Sequence, residues 1–182
     1  MVKDKKVIGD FILSKNGKTV IEYVGNGYNK NIVIPDGVEK IGKHAFVGKY
    51  IKSIKFPATL LEIGALSFAN CRYLEHIDFG NGIKNIGDLG PESIFSECTS
   101  LKTIEIPSNV KSLGRNVFYG CENLEHVIFH EGIQAIAEDA FKCCKNLTEI
   151  ELPSTVHFVG HGCFPYVSKI KLHGDIPHGL ID

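Results

Sequence analysis

Cysteine and histidine are the residues best equipped for chemistry in this 182-residue chain, which holds 6 Cys and 8 His. Thiolates and imidazoles serve as nucleophiles, general bases and metal ligands. The densest such group is His157, His161 and Cys163. A metal site needs ligands that converge at recognised spacings. Here His157 and His161 only flank Val156 and Val159, two apolar positions that recur along the chain, so neither a metal nor a cofactor is expected. No cysteine carries the flank of a known nucleophile, and the chain has no G-x-S-x-G, Walker A, H-E-x-x-H or dinucleotide fingerprint. No catalytic residue and no enzymatic activity are expected. Four cysteines stand out in a different way. Cys71, Cys98, Cys121 and Cys144 each follow a phenylalanine by three residues.

That regularity belongs to an internal repeat, the first feature to look for in any chain. One column holds Pro35, Pro57, Gly80, Pro107, His130, Pro153 and His173, in steps of 22, 23, 27, 23, 23 and 20 residues. Three residues later stands an aliphatic, from Val38 to Ile176. Six residues later stands another, from Ile41 to Val159, followed by Gly42, Gly64, Gly87, Gly114, Ala137 or Gly160. A phenylalanine column (Phe46, Phe68, Phe95, Phe118, Phe141, Phe164) comes next, and then a Leu-x-x-Ile-x-Ile strand signal. A coil of this length cannot bury its own apolar side. Stacked coils complete a continuous core, which makes a solenoid. The alternation in the strand signal puts one aliphatic inward with its two neighbours outward, and strands of successive coils run parallel. The glycines are expected to supply backbone angles that other residues resist, and the phenylalanines to stack as a spine.

The units resemble the BspA-type leucine-rich repeat, roughly L-x-x-I-x-I-P-x-x-V-x-x-I-G-x-x-A-F-x-x-C, over about residues 31–176, most closely in the units at Pro57 and Pro107. The resemblance implies an α/β leucine-rich-repeat solenoid, a short right-handed horseshoe with a parallel sheet on one face and few or short helices. It also implies unpaired cysteines at the repeat position, and a cell-surface or secreted protein of a host-associated microbe, adhesin-like or antigen-like. Buried free thiols are expected at Cys71, Cys98, Cys121 and Cys144, although neighbouring coils would nearly permit disulfides. Cys163 falls in a core column, and Cys143 is the thiol expected to be exposed.

Residues 1–30 are expected to be a capping β-hairpin around Asn16-Gly17, a strong turn signal, with a separate module as the alternative. Residues 31–182 are expected to form about six coils of one continuous domain. The third coil carries four extra residues around Gly87–Pro91, read as a surface loop. The last coil is short and ends the pattern as a cap or a truncation.

Charge narrows the function classes. Lys and Arg number 20 against 21 Asp and Glu, a net charge of −1, without the basic footprint that nucleic-acid binding needs. No apolar run reaches the roughly 18–20 residues that cross a bilayer, so no membrane insertion is expected. The start, MVKDKKVIGDF, lacks the apolar core of a signal peptide, which keeps a cytoplasmic scaffold as the alternative to a surface protein. The expected partner is a protein, bound by a monomer. Its expected site is the extended solvent face of the sheet, formed by Ser53 and Lys55, His76 and Asp78, Thr103 and Glu105, His126 and Ile128, Glu149 and Glu151, and Lys169 and Lys171.

Overall fold

The computed structural model describes residues 5–26, 28, 30–91 and 93–180. The sequence-based domain bounds, 1–30 and 31–182, thus begin and end outside the described residues. In chain order the strands are β1 (Lys5–Ile8), β2 (Phe11–Ser14), β3 (Thr19–Tyr23), β4 (Lys30–Val33), β5 (Lys40–Ile41), β6 (Ile51–Lys55), β7 (Glu62–Ile63) and β8 (His76–Asp78). They continue as β9 (Asn85–Pro91), β10 (Thr103–Ile106), β11 (Ser112–Arg115), β12 (His126–Phe129), β13 (Ala135–Ile136), β14 (Glu149–Leu152), β15 (Phe158–Val159) and β16 (Lys169–Leu172).

The chain forms the expected solenoid of stacked coils. The Leu-x-x-Ile-x-Ile signals become β6, β8, β10, β12, β14 and β16. Parallel pairing joins β4 to β6 and β6 to β8, then β10 to β12, then β14 to β16. A second parallel face was not expected. It runs through β3, β5 and β7, then through β9, β11, β13 and β15. Several of its strands are two residues long, too short to show a period of two in sequence. No helix occurs among the described residues, so the expected helical share is replaced by these short strands and by turns. A third side of each coil is also tied to the next. Phe46, Phe68, Phe95 and Phe118 donate their N–H groups to the carbonyls of Ser67, Ile94, Val117 and Ala140, at 2.7–2.9 Å. Coil-to-coil bonding on three sides satisfies the backbone without helices.

The phenylalanines form the expected spine. Neighbouring rings from Phe46 to Phe164 lie 4.7–5.6 Å apart and within 18° of parallel. Tyr23 extends it by one ring, 5.0 Å from Phe46. The extension comes from the N-terminal strands: β1 and β2 pair antiparallel, as do β2 and β3, and β3 then joins β5 in parallel.

Two backbone columns need their own explanation. The recurrent glycine is set mainly by proximity, and by a left-handed backbone at Gly87 (φ +84°). A Cβ on Gly64 would sit 2.8 Å from the Lys43 nitrogen, and one on Gly160 2.3 Å from the Glu138 nitrogen. Other left-handed conformations recur two residues after the phenylalanines, at Gly48, Asn70, Glu97, Gly120 and Cys143, and two residues before each phenylalanine, at His44, Leu66, Ser93, Asn116, Asp139 and Gly162. Five of the latter six are not glycine, and the backbone ladder at that corner holds them there. The extra residues of the third coil do not form a free loop. They lengthen β9 to seven residues, with a register shift opposite Leu113–Arg115.

Candidate binding face

The first parallel face is built by alternation. Ile54, Ile104, Val127 and Ile150 point inward and are buried. The residues on either side of them point out, and eleven of the twelve named from sequence are exposed, with Ser53 half-buried. Register sets their neighbours. Ser53 lies opposite His76 and Lys55 opposite Asp78. Thr103 lies opposite His126 and Glu105 opposite Ile128. Glu149 lies opposite Lys169 and Glu151 opposite Lys171. His76 and His126 do not meet; β10 separates them.

Charge on this face is largely self-compensated. Lys55 pairs with Asp78 at 3.0 Å, Lys169 with Glu149 at 3.1 Å and Lys171 with Glu151 at 2.8 Å. Partial desolvation works to raise the Asp78 carboxyl. The Gly80 N–H, 2.9 Å away, and the Lys55 ammonium outweigh it and hold the group below its ordinary range. Hydrogen bonds from Lys171 and His173 likewise lower Glu151. His130 reaches Glu105 at 2.8 Å.

The strand pairing is interrupted between β8 and β10 and again between β12 and β14. Shallow grooves mark both places. One, of about 510 Å³, includes His76, Lys102, Thr103 and Asn123. The other, of about 380 Å³, is lined by Thr103, His126, Ile128, Glu149, Glu151, Lys169 and Lys171 among others. The second groove therefore gathers seven of the twelve sequence-derived residues. Ser53, Lys55, Asp78 and Glu105 lie outside both.

The thiols serve packing. All six cysteines are free. The Sγ atoms of Cys71, Cys98, Cys121 and Cys144 donate to the carbonyls of Phe46, Phe68, Phe95 and Phe118 one coil back, at 3.1–3.4 Å. Burial pushes the Cys71 and Cys144 thiols up to about 12, and Cys98 and Cys121 well above their ordinary value. A thiol held in its neutral form is a poor nucleophile. Cys163 turns inward to the Ala137 carbonyl at 2.9 Å and its thiol is pushed up to about 11 by burial, while His157 and His161 are exposed. Among the described residues no three His, Cys, Asp or Glu side chains converge as a metal site would require.

One surface feature escaped the sequence reading. Tyr28, Tyr50 and Tyr73 stack at the corner that leads into β4, β6 and β8, with centroids 4.7 and 5.3 Å apart. The signal was there: Tyr50 and Tyr73 recur at the repeat interval, each just before the first strand aliphatic.

Stacked coils whose strands line up in parallel along each face define a leucine-rich-repeat solenoid, an architecture that supports protein binding. The model of the BspA type leucine rich repeat region matches residues 23–89 and 91–179 in 6 copies, and the chain belongs to that family. A leucine rich cell surface protein from Faecalibacterium prausnitzii is 28% identical with a TM-score of 0.66, over 95% of this chain and 40% of that one. A leucine rich repeat protein of T. pallidum is 25% identical with a TM-score of 0.60, over 88% of each chain. The pneumococcal vaccine antigen PcpA shares the fold at 24% identity and a TM-score of 0.67, over 96% of this chain and 47% of its own. The chain thus spans less than half the length of the first and third. No curated protein matches it. Among the described residues no helix is long and apolar enough to cross a membrane.

Proposed function

We propose that this chain is a non-enzymatic protein-binding module of a cell-surface or secreted protein, adhesin-like or antigen-like, with residues 1–30 as its cap and the first parallel face as its binding surface. The observation that carries the reading is the 28% identity, over 95% of this chain, to a leucine rich cell surface protein. The geometry supports it. Twelve outward side chains ride on strands fixed by backbone bonds, so little conformational entropy is lost on binding. The groove at β12 and β14 supplies the apolar patch, Ile128, within a polar surround, as protein interfaces commonly do. The working form is a monomer.

Two measurements test this. Protease treatment of intact cells producing the native protein should remove it; full protection would overturn the surface assignment. The purified chain, screened against extracellular host proteins, should bind at least one, and Ile128→Asp should weaken that binding about tenfold or more, as loss of a central apolar anchor does. Binding that survives both Ile128→Asp and Glu149→Lys would exclude this face as the site.

A further inference from the structure

Among the described residues, no strand lies beyond β4 at one end of the first face or beyond β16 at the other. The two ends are not alike. Ile32 on β4 is 7% exposed, whereas Ile170 on β16 is 39% exposed. Beside Ile170 the core opens in a concavity of about 370 Å³, with Cys163, Phe164, Val167 and Leu180 in its lining. The backbone is open there too. The Lys169 and His173 N–H groups turn towards β14 and donate to the Thr148 and Leu152 carbonyls at 3.2 and 3.1 Å. Alternation then turns the N–H and C=O groups of Ile170 and Leu172 the other way, where no described strand meets them. Such a row is a template for one more strand.

The molecule itself shows what fits a strand of this kind. Glu149-Ile150-Glu151-Leu152 lies against Lys169-Ile170-Lys171-Leu172 in parallel register, aliphatic beside aliphatic and carboxylate beside ammonium. The opposite order also occurs. Lys55 on β6 is answered at 3.0 Å by Asp78 on β8, the next strand along the stack. The Lys169 and Lys171 side chains remain 76% and 61% exposed, so each has room for a second carboxylate. An added strand lies about 4.8 Å from the lysines and about twice that from Glu149 and Glu151, so the nearer positive charge dominates.

We propose that the free edge of β16 binds an extended peptide of alternating acidic and aliphatic residues, which joins the sheet as a further parallel strand. Its two aliphatics cover Ile170 and Leu172 and close the open end of the core. Its two acids stand beside Lys169 and Lys171, and the N–H of the second acid meets the Ile170 carbonyl. A second copy of this chain does not meet these terms. Two β16 edges related by a two-fold axis set lysine against lysine. The edge of β4 offers Asn31 and Val33 where acids are needed. The site is the end of the sheet, not its outward surface, so the inference does not rest on the binding face proposed above.

The test titrates the full chain against a labelled peptide of residues 146–153, read by fluorescence anisotropy. That peptide should bind, and more weakly as salt rises. Three altered peptides should each lose about tenfold or more in affinity: one with Lys for both Glu, one with the order changed to Glu-Glu-Ile-Leu, and one N-methylated at the second Glu. Ile170→Asp should cost as much, while Ile128→Asp on the outward face leaves the affinity unchanged. The fourfold swap Glu149→Lys/Glu151→Lys/Lys169→Glu/Lys171→Glu keeps the cross-strand pairs and should reverse the preference, towards the lysine peptide. Unaltered thermal unfolding shows that its fold survives. No binding of the acidic peptide, binding indifferent to N-methylation or to the alternation, or a preference that survives the swap overturns the proposal.

Discussion

The two ends of this solenoid are built from the same repeat and finished differently. At the N-terminal end β3 pairs with β5, and Tyr23 closes the ring spine while Phe11 packs edge-on against Phe46. Tyr23, Leu13 and Val20 are buried there. At the C-terminal end residues 176–180 return along the second face only, where the Val159 N–H bonds the His178 carbonyl at 2.8 Å. The first face ends on β16, and Ile170, whose counterpart Ile54 is 1% exposed, is 39% exposed. A stack of coils shares its stability with nearest neighbours, so an end with a full partner is firm and an end with half a partner frays.

Removing a ring at each end should have unequal effects. Tyr23→Ala should cost about 3–5 kcal/mol, the usual cost of emptying a buried aromatic site. Phe164→Ala, at a half-buried position, should cost clearly less. Urea unfolding midpoints at constant slope measure both, and equal losses would contradict the asymmetry. The glycine column gives a second, smaller contrast. Gly64→Ala forces a methyl onto backbone held between two coils and should cost about 1–3 kcal/mol by overpacking. Gly160→Ala meets closer atoms, at 2.3 Å, yet the last coil is free to shift, so its cost should not exceed that of Gly64→Ala.

The buried thiols yield a pH dependence. Their folded values lie above the ordinary 9.0, at about 12 for Cys71 and Cys144 and about 11 for Cys163. Between those limits the folded chain keeps protons that the unfolded chain releases, so stability falls as pH rises above about 9. Each thiol that ionises only on unfolding contributes a slope of about 1.4 kcal/mol per pH unit. Thiol titration near neutral pH should find one fast group, Cys143, and five that react only on unfolding. Several fast groups would mean that the cysteine ladder is open. Smallest in effect is Ser67→Ala. The Ser67 hydroxyl is buried with no hydrogen-bond partner among the described residues, and replacing it should stabilise the protein by about 1 kcal/mol.

Much of this was legible because the repeat aligns residues of one type with one structural job. Phenylalanine every coil marks the spine, and Leu-x-x-Ile-x-Ile marks the first face. The left-handed column was not legible, because His44, Leu66, Ser93, Asn116 and Asp139 share no side-chain property; the backbone ladder imposes their conformation. The glycine column was legible, but its cause is mixed: a left-handed backbone at Gly87, and close approach of neighbouring coils at Gly42, Gly64 and Gly160. The twelve outward residues could be placed by alternation alone. The grooves could not, since they arise where strand pairing lapses, and no residue type announces a lapse.

The first face is held where its strands pair, within β6–β8 and β10–β12, and loosens at β16. Hydrogen exchange followed strand by strand tests that most directly, because amides in a cooperative core open only with global unfolding. The expected result is slow exchange in β6, β8, β10, β12 and β14, slowest for amides bonded to a neighbouring strand, with β16 exchanging early. Early exchange in β10 or β12, or a β16 as protected as β6, would contradict it.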